Sequence, residues 1–230
     1  MVESYLKLLM ENPLFREMSR DEIGEMLSGM GAYIASYSKN ETITVENEKL
    51  HGIGIVLRGM VSIGKDTSSG DRLMMARLSQ GDIFGEVAVY TGSLWTATVL
   101  AEKDATILFL PAEKLMNAEQ MSSNAASRFT LNMLYIIAKK ARALNDKLEL
   151  LSLKSIRRKI CFYLLKQHQS RKQSEFMVPL RRIEMAEYLQ VSRPSLSREL
   201  IRLKEEGIID FEGRNFKLID IERISKELKK

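Results

Sequence analysis

The stretch that most restricts the fold is LRRIEMAEYLQVSRPSLSRELIRLKEEGII, residues 180–209. Its apolar side chains recur with the period of two short helices separated by a brief turn. Ser192 has the hydroxyl group of a helix N-cap, and Pro194 is tolerated in the first helical turn, where backbone amides lack intrahelical partners. Gly207 suits the end of the second helix. The stretch therefore predicts a helix, a turn, a second helix and then a strand.

The residues that follow extend this pattern into IIDFEGRNFKLID, residues 208–220, which predicts a β-hairpin that turns at Gly213 and Arg214-Asn215. A helix–turn–helix followed by a hairpin is typical of winged DNA-binding domains. The formal net charge is +5, and the basic side chains concentrate between Lys154 and Arg214. A local basic excess is expected of a domain that meets phosphate backbones, although many solvated faces are also basic.

The second helix of this stretch separates into two faces at 100° per residue. Leu196, Leu200 and Leu203 share the face that we predict to be buried. The polar side chains on the other side and at the helix start are the candidate DNA contacts: Ser192, Arg193, Ser195, Ser197, Arg198 and Arg202. Arg198 is the best candidate for reading a guanine edge, whereas Ser192, Ser195 and Arg202 suit phosphates. The alternative is a solvated polar face without a ligand.

Upstream, residues 125–151 contain neither proline nor glycine, which favours one long helix. Apolar residues within it are spaced three and four apart, as in a heptad seam: Leu134, Ile137, Ala141, Leu144, Leu148 and Leu151. One interpretation is an amphipathic helix packed on its own domain. So regular a seam is better explained by a partner helix, and most simply by a second copy of the chain, so we predict a homodimer.

The first half of the chain has a different pattern. Ser19 and Glu22 have capping-box spacing for a helix start. From about residue 32 to residue 110, short alternating or apolar runs are punctuated by glycine, which predicts an antiparallel sandwich or barrel. Within this region, FGEVAVYTGSLWTATV, residues 84–99, has a glycine-glutamate pair typical of an anion pocket and yet no cationic side chain.

The residue inventory excludes several function classes. Cys161 is the single cysteine, which excludes disulfides and cysteine-ligated iron–sulfur clusters within one chain, and its apolar neighbours indicate a buried thiol. Two histidines far apart, without a phosphate-binding glycine loop or a metal motif, give little basis for catalysis, so we expect neither an enzyme nor a metal site. No window has the ~20 apolar residues of a membrane helix. The first residues lack a signal-peptide pattern, and we expect a cytoplasmic protein.

Four features give the chain a resemblance to the Crp/Fnr family of bacterial transcription regulators over nearly its full length. They are PLFREMS near the start, GDIFGEVAVYTG, the long seam helix, and VSRPSLSRELIRLKEEGII. The resemblance implies an α+β fold: an N-terminal jelly roll similar to cyclic-nucleotide-binding domains, a dimerisation helix and a C-terminal winged helix–turn–helix. We place these domains at residues 1–120, 121–151 and 152–230. The implied partner is double-stranded DNA with a two-fold symmetric site, and RNA polymerase is a possible further partner.

Two positions depart from the family pattern. In many relatives the recognition helix begins Ser-Arg-Glu, and the glutamate helps to read a cytosine, whereas Pro194 stands there in this chain. Members that bind cyclic AMP follow the Gly-Glu pair with an arginine that neutralises the cyclic phosphate. Trp95 takes that place, and no arginine occurs between Arg77 and Arg128. Burial of a phosphate without a charged partner is costly, so the sequence disfavours cyclic-nucleotide binding of the usual kind.

The effector region that the resemblance implies contains six residues: Gly85, Glu86, Val87, Trp95, Thr96 and Ala97. Backbone amides after Gly85 could form a partial anion nest, which keeps a cyclic-nucleotide response as an alternative. Trp95 could contact an uncharged effector, fill the core or cover a filled cavity, and the sequence does not separate these roles. His51 is the one histidine of the sensor half, and we interpret it as a turn or surface residue, so we expect no haem and no other cofactor.

The resulting prediction is a dimeric, sequence-specific DNA-binding regulator that responds to an effector other than a cyclic nucleotide, or to none. An effector, or the promoter itself, would bias the long helix and thereby the spacing of the two recognition helices. The alternative from another class is a ligand-binding or interaction module with weak DNA binding. The basic third region, together with Arg193, Ser197 and Arg198, counts against that alternative.

Overall fold

The computed structural model describes residues 2–49, 52–66, 72–115 and 123–229. The chain folds into two compact units, Met1–Lys140 and Ala141–Lys230. One long helix contributes residues to both units. The predicted division into functional domains at residues 120 and 151 stays a prediction. His51, which bears on haem binding, lies outside the described residues.

The order of elements gives an α+β chain, as predicted. The helices of the described residues are α1 (Leu6–Glu11), α2 (Arg20–Gly29), α3 (Glu86–Thr91), α4 (Ala112–Leu115), α5 (Ser123–Ser152), α6 (Ile156–Arg171), α7 (Arg182–Leu189), α8 (Arg193–Glu205) and α9 (Ile221–Lys229). The strands are β1 (Tyr33–Tyr37), β2 (Thr42–Thr44), β3 (Gly52–Asp66), β4 (Arg72–Ser79), β5 (Ile83–Phe84), β6 (Thr98–Pro111), β7 (Glu175–Met177), β8 (Ile209–Glu212) and β9 (Asn215–Leu218). Short 3₁₀ turns lie at Val2–Tyr5 and Pro13–Phe15.

The first unit contains an antiparallel sheet built around β3 and β6. Strand β6 pairs with β1, β2 and β3, and β3 also pairs with β4 and β5. Register shifts interrupt the β3–β6 ladder, and such irregularities let long strands bend. Because side chains alternate along a strand, Leu108 and Leu110 of β6 join one core cluster, whereas Ile107 and Phe109 join the other. The antiparallel β architecture predicted from the glycine-punctuated runs is confirmed.

One sheet face is covered by helices. Ala125, Phe129 and Met133 are spaced four apart on α5 and are buried in the same cluster as residues of α1 and α2. Arg128 on this part of α5 forms an ion pair with Glu22 at 3.2 Å. The predicted capping box at the start of α2 is confirmed, since Ser19 N donates to Glu22 Oε2 at 2.7 Å.

The second unit is the predicted winged helix–turn–helix. Helices α7 and α8 form the two-helix motif, and strands β8 and β9 form the hairpin. Leu196, Leu200 and Leu203 are fully buried, as their helical spacing predicts. Gly213 has φ +57° and lies in the hairpin turn, at the predicted place. No helix in the described part of the chain is both long enough and apolar enough to cross a membrane.

Candidate nucleic-acid interface and effector region

The start of α8 presents small hydroxyl groups and an unpaired guanidinium. Ser192 caps the helix, since its Oγ accepts from Ser195 N at 3.3 Å and lies 2.8 Å from Ser195 Oγ. Arg193 and Pro194 occupy the first turn and are exposed. Arg193 has no ion pair among the described residues. Within the described part of the chain, this end of the helix therefore combines an exposed, unpaired cation with hydroxyl groups, both of which can bind phosphate.

The outer face of α8 carries two exposed arginines one helical turn apart. Arg198 donates from its guanidinium to Ser195 Oγ at 3.3 Å and has no carboxylate partner among the described residues. Arg202, whose side chain is 68% exposed, lies 3.6 Å from Glu199, which is a loose contact. Ser197 is half-buried on the flank. The structure thus places the six predicted DNA contacts on or beside one exposed surface, and Arg198 is free to form two parallel hydrogen bonds to a base edge.

A half-buried arginine on α6 pairs with a glutamate on the flank of α8. Arg157 on α6 bonds Glu199 at 2.8 Å and also pairs with Glu206, whose carboxylate in turn accepts from Arg223 at 2.9 Å. The hydrogen bond to Glu206 raises the pKa of Arg157, and the same contact lowers the pKa of Glu206. Glu199 therefore serves packing and does not face a ligand. Sequence reasoning missed this network because Arg157 and Glu199 are 42 positions apart.

The wing is fixed by a second arginine that the sequence did not single out. The guanidinium of Arg182, at the start of α7, lies 5.0 Å from the ring centroid of Phe211 and 5.4 Å from that of Phe216. It also donates to the carbonyl oxygen of Gly213 at 3.1 Å. Burial lowers the pKa of Arg182. These contacts tie the hairpin turn, with exposed Arg214 beside it, to the helix–turn–helix.

In the first unit, the predicted effector region is organised by Gly85. This residue has φ +88°, and a Cβ placed there would lie 2.7 Å from Trp95 Cη2 and 2.8 Å from the carbonyl oxygen of Gly52. Only glycine combines that conformation with that proximity. The turn directs Glu86 into the first position of α3, where its carboxylate is buried.

Lys140 neutralises this carboxylate. Its Nζ lies 2.8 Å from Glu86 Oε1 and donates to the carbonyl oxygen of Ile83 at 2.9 Å. Lys140 is on α5, 54 positions after Glu86. No local sequence pattern indicates this contact beyond the off-seam position of the lysine.

Trp95 is a core residue in the structure. Its side chain is 4% exposed, its ring lies 6.0 Å from that of Phe84, and it packs directly on Gly85. Its Nε1 has no hydrogen-bond partner among the described residues, and neither has the buried Thr44 Oγ1. Ala97 is also buried, whereas Val87 and Thr96 are exposed. The six predicted pocket residues therefore do not line one open surface.

Gly85→Ala should destabilise the first unit by about 2–5 kcal/mol, because a left-handed backbone and an overpacked side chain each cost free energy. The matched control is Gly92→Ala, which has φ +63° and open space around the added methyl, so its cost is about 1–2 kcal/mol. Urea unfolding of both variants measures the difference. Equal destabilisation would show that the approach of Trp95 to Gly85 is not tight.

The predicted seam of α5 is largely uncovered in the single chain. Leu134, Leu144 and Leu148 are each about 60% exposed, and Ala141 is exposed. Ile137 and Leu151 are half-buried. Additional apolar side chains, Leu131 and Tyr135, are exposed on the first part of the helix.

The described residues offer neither an accessible thiolate nor a cluster of metal ligands. Cys161 is buried, and burial raises the pKa of its thiol to about 12, so the thiolate is not accessible. Over the ranges that the structure describes, no group of three or more histidine, cysteine, aspartate or glutamate side chains is arranged to hold a metal ion.

Two protein-family models match the chain. The model of the cyclic nucleotide-binding domain matches residues 34–121, and that of the Crp-like helix-turn-helix domain matches residues 158–227. The cyclic AMP receptor protein of Thermus thermophilus is 25% identical over 198 residues, which cover 86% of this chain and 88% of that protein. The transcriptional activator protein FnrL of Cereibacter sphaeroides is 26% identical over 208 residues, which cover 85% and 80%.

Among solved structures, a CooA mutant from Carboxydothermus hydrogenoformans has a similar fold, with a TM-score of 0.62. The match covers 97% of this chain and 95% of the CooA chain, and the two sequences are 21% identical. That likeness concerns the fold. The chain thus carries a domain of the cyclic-nucleotide-binding type followed by a Crp-like winged helix–turn–helix. The two matches together span most of the chain and support a transcription regulator of the Crp/Fnr type, as the resemblance predicts.

Proposed function

We propose that the chain is a homodimeric regulator that binds a two-fold symmetric DNA sequence through α8 and needs no cyclic nucleotide. The observation that supports this most strongly is the division of α8. Leu196, Leu200 and Leu203 are fully buried on one side, while Arg198 is exposed on the other side and Arg193 is exposed at the helix start. Neither arginine has a carboxylate partner among the described residues. A helix anchored in this way can present its cations to a major groove without rearrangement.

We assign the reading of a base edge to Arg198. A guanidinium matches the O6 and N7 acceptors of guanine with two hydrogen bonds. Among the described residues, the one hydrogen bond that Arg198 would have to release is the bond to the Ser195 hydroxyl. Arg193, Ser192 and Ser195 lie at the amino end of the helix and suit phosphate oxygens, which fix position without reading sequence. Pro194 offers no side-chain donor or acceptor, so we expect relaxed preference at the neighbouring base pair.

Dimerisation is supported by the exposed seam on α5. Leu134, Leu144 and Leu148 are large apolar residues on one helix, and a symmetric partner helix would cover all three. Two copies would present two α8 helices, which matches half-sites about 10 bp apart.

The effector part of the proposal is supported by the surroundings of Trp95 and Glu86. A cyclic phosphate needs a cation, and the cation that the structure places beside the Gly-Glu turn is Lys140, which is already paired with Glu86. The match to the cyclic nucleotide-binding domain model favours a second candidate, a cyclic-nucleotide-responsive regulator that uses backbone amides. Thermal unfolding with and without cyclic AMP separates the two, because strong stabilisation by the nucleotide supports the second candidate.

The test of DNA reading is selection of duplexes from a random library with the full-length protein. The expected result is enrichment of an inverted repeat whose half-site centres lie one helical turn, about 10 bp, apart. A pool that remains random after several rounds would contradict sequence-specific binding and favour the weak-binding interaction module.

On the enriched duplex, Arg198→Ala should weaken binding by about 1–3 kcal/mol and relax base preference at one position of each half-site. Arg202→Ala should weaken binding to all duplexes similarly, because a phosphate contact carries no sequence information. Arg16→Ala removes the same charge from an exposed site outside the second unit and serves as the control. Fluorescence anisotropy measures all three. An Arg198→Ala variant with the affinity and base preference of the wild type would refute the assignment.

A further inference from the structure

We infer that Glu86 and Lys140 form an internal latch that holds α5 on the Gly85-Glu86 turn, so that the chain binds DNA without a small-molecule effector. The inference rests on the proposed DNA binding and adds why that binding needs no effector. The Lys140 side chain of α5, rather than an effector, contacts the Gly85-Glu86 turn.

The latch combines a sterically fixed turn with a buried charge. Gly85 cannot accept a side chain, because Trp95 and the carbonyl oxygen of Gly52 would lie less than 3 Å from its Cβ. The turn therefore holds Glu86 in one position, with its side chain 5% exposed. A carboxylate in such surroundings needs a cation, and Lys140 supplies it at 2.8 Å. The second bond of Lys140, to the carbonyl oxygen of Ile83, fixes the ammonium to the same turn.

Lys140 also occupies a particular place along α5. Upstream, the helix is anchored by buried Phe129 and Met133, and Asn132 donates to the carbonyl oxygen of Leu14 at 3.1 Å. Downstream, residues 141–145 are all exposed. The Glu86–Lys140 pair is therefore the final anchoring contact before an exposed stretch that contains two seam residues, Ala141 and Leu144. Any change in this pair alters the restraint on the helix at the start of that stretch.

This arrangement has a consequence for effectors. A ligand that required the Glu86 carboxylate would have to displace Lys140 and leave its ammonium without a partner. The competition is intramolecular, so the lysine is always present at high effective concentration. The state in which Lys140 is paired with Glu86 is accordingly the resting state, and DNA binding requires no ligand.

The experiment compares four full-length proteins: wild type, Lys140→Met, the double variant Glu86→Gln/Lys140→Met, and Lys139→Met. Lys139 is the exposed neighbouring lysine, which has no ion pair among the described residues, so its variant controls for loss of one charge. Hydrogen exchange of the amides around residue 140 measures the restraint on α5, thermal unfolding measures stability, and anisotropy on the selected duplex measures DNA affinity.

Lys140→Met should speed amide exchange around residue 140 and weaken DNA binding at least tenfold, whereas Lys139→Met should change neither. Lys140→Met should also lower Tm, because Glu86 is left buried without its cation, and the double variant should recover Tm while its exchange stays fast. Exchange in Lys140→Met equal to that in Lys139→Met would overturn the latch. Fast exchange with unchanged DNA affinity would overturn its role in regulation. Absence of specific DNA binding in the wild type would instead contradict the proposed function, and the exchange comparison would still decide the latch.

Discussion

Leu148→Lys should convert the protein into a monomer and weaken its binding to the symmetric duplex by about 10²–10⁴-fold, because the second recognition helix would no longer be linked to the first. Leu148 is 58% exposed in the single chain, so the substitution leaves the fold of each unit intact. In a dimer seam the same position would bury a lysine opposite its own copy. Light scattering measures the mass, and anisotropy measures the DNA affinity.

Ala143→Lys is the matched control for this substitution. Ala143 is exposed on α5 and lies roughly 140° around the helix from Leu148, away from the seam. It should remain a dimer with the affinity of the wild type. A stable Leu148→Lys dimer would show that the predicted seam is not the interface.

Arg157→Met should destabilise the second unit by about 3 kcal/mol, at the lower end of the range for breaking a buried pair, because the site retains some solvent exposure. The guanidinium is 22% exposed and Glu199 is 15% exposed, so removal of the cation leaves a largely buried carboxylate. The remaining cation near Glu199 is Arg202, at a loose 3.6 Å. The midpoint of urea unfolding, followed by a probe in the second unit, measures the loss.

Arg223→Met is the matched control, since Arg223 pairs with Glu206 through a side chain that is 47% exposed. Such exposed pairs contribute about 0–1 kcal/mol, so its midpoint should move little. Adding Glu199→Gln to Arg157→Met should recover part of the lost stability, because it removes the uncompensated charge. Equal effects of Arg157→Met and Arg223→Met would contradict the stabilising role assigned to the Arg157–Glu199 pair.

The parts of the fold that sequence predicted well are those set by local periodicity. The faces of α8 follow from the spacing of Leu196, Leu200 and Leu203, and the N-cap of Ser192 follows from hydroxyl placement before a helix. The antiparallel sheet followed from glycine-punctuated runs. In each case the physical cause acts over a few residues, so the pattern is visible in the chain itself.

The remaining features depend on contacts between distant positions. Glu86 and Lys140 meet across 54 residues, and Arg157 meets Glu199 across 42. Nothing in the local sequence distinguishes Lys140 from the exposed Lys139. The burial of Trp95 also depends on tertiary packing, since its ring lies against Gly85. The Glu86–Lys140 and Arg157–Glu199 contacts neutralise buried or half-buried charges. Local sequence patterns do not predict these pairings.

Sequence-specific DNA binding without a nucleotide is tested most directly by two titrations of the wild-type protein in the absence of any nucleotide. One measures its affinity for the selected inverted repeat, and the other its affinity for a scrambled duplex of the same composition. We expect the protein to bind the repeat about 10³-fold more tightly than the scrambled duplex, or tighter still. We also expect cyclic AMP to leave this ratio unchanged. Equal affinity for the two duplexes, or discrimination that develops only after cyclic AMP is added, would contradict this expectation.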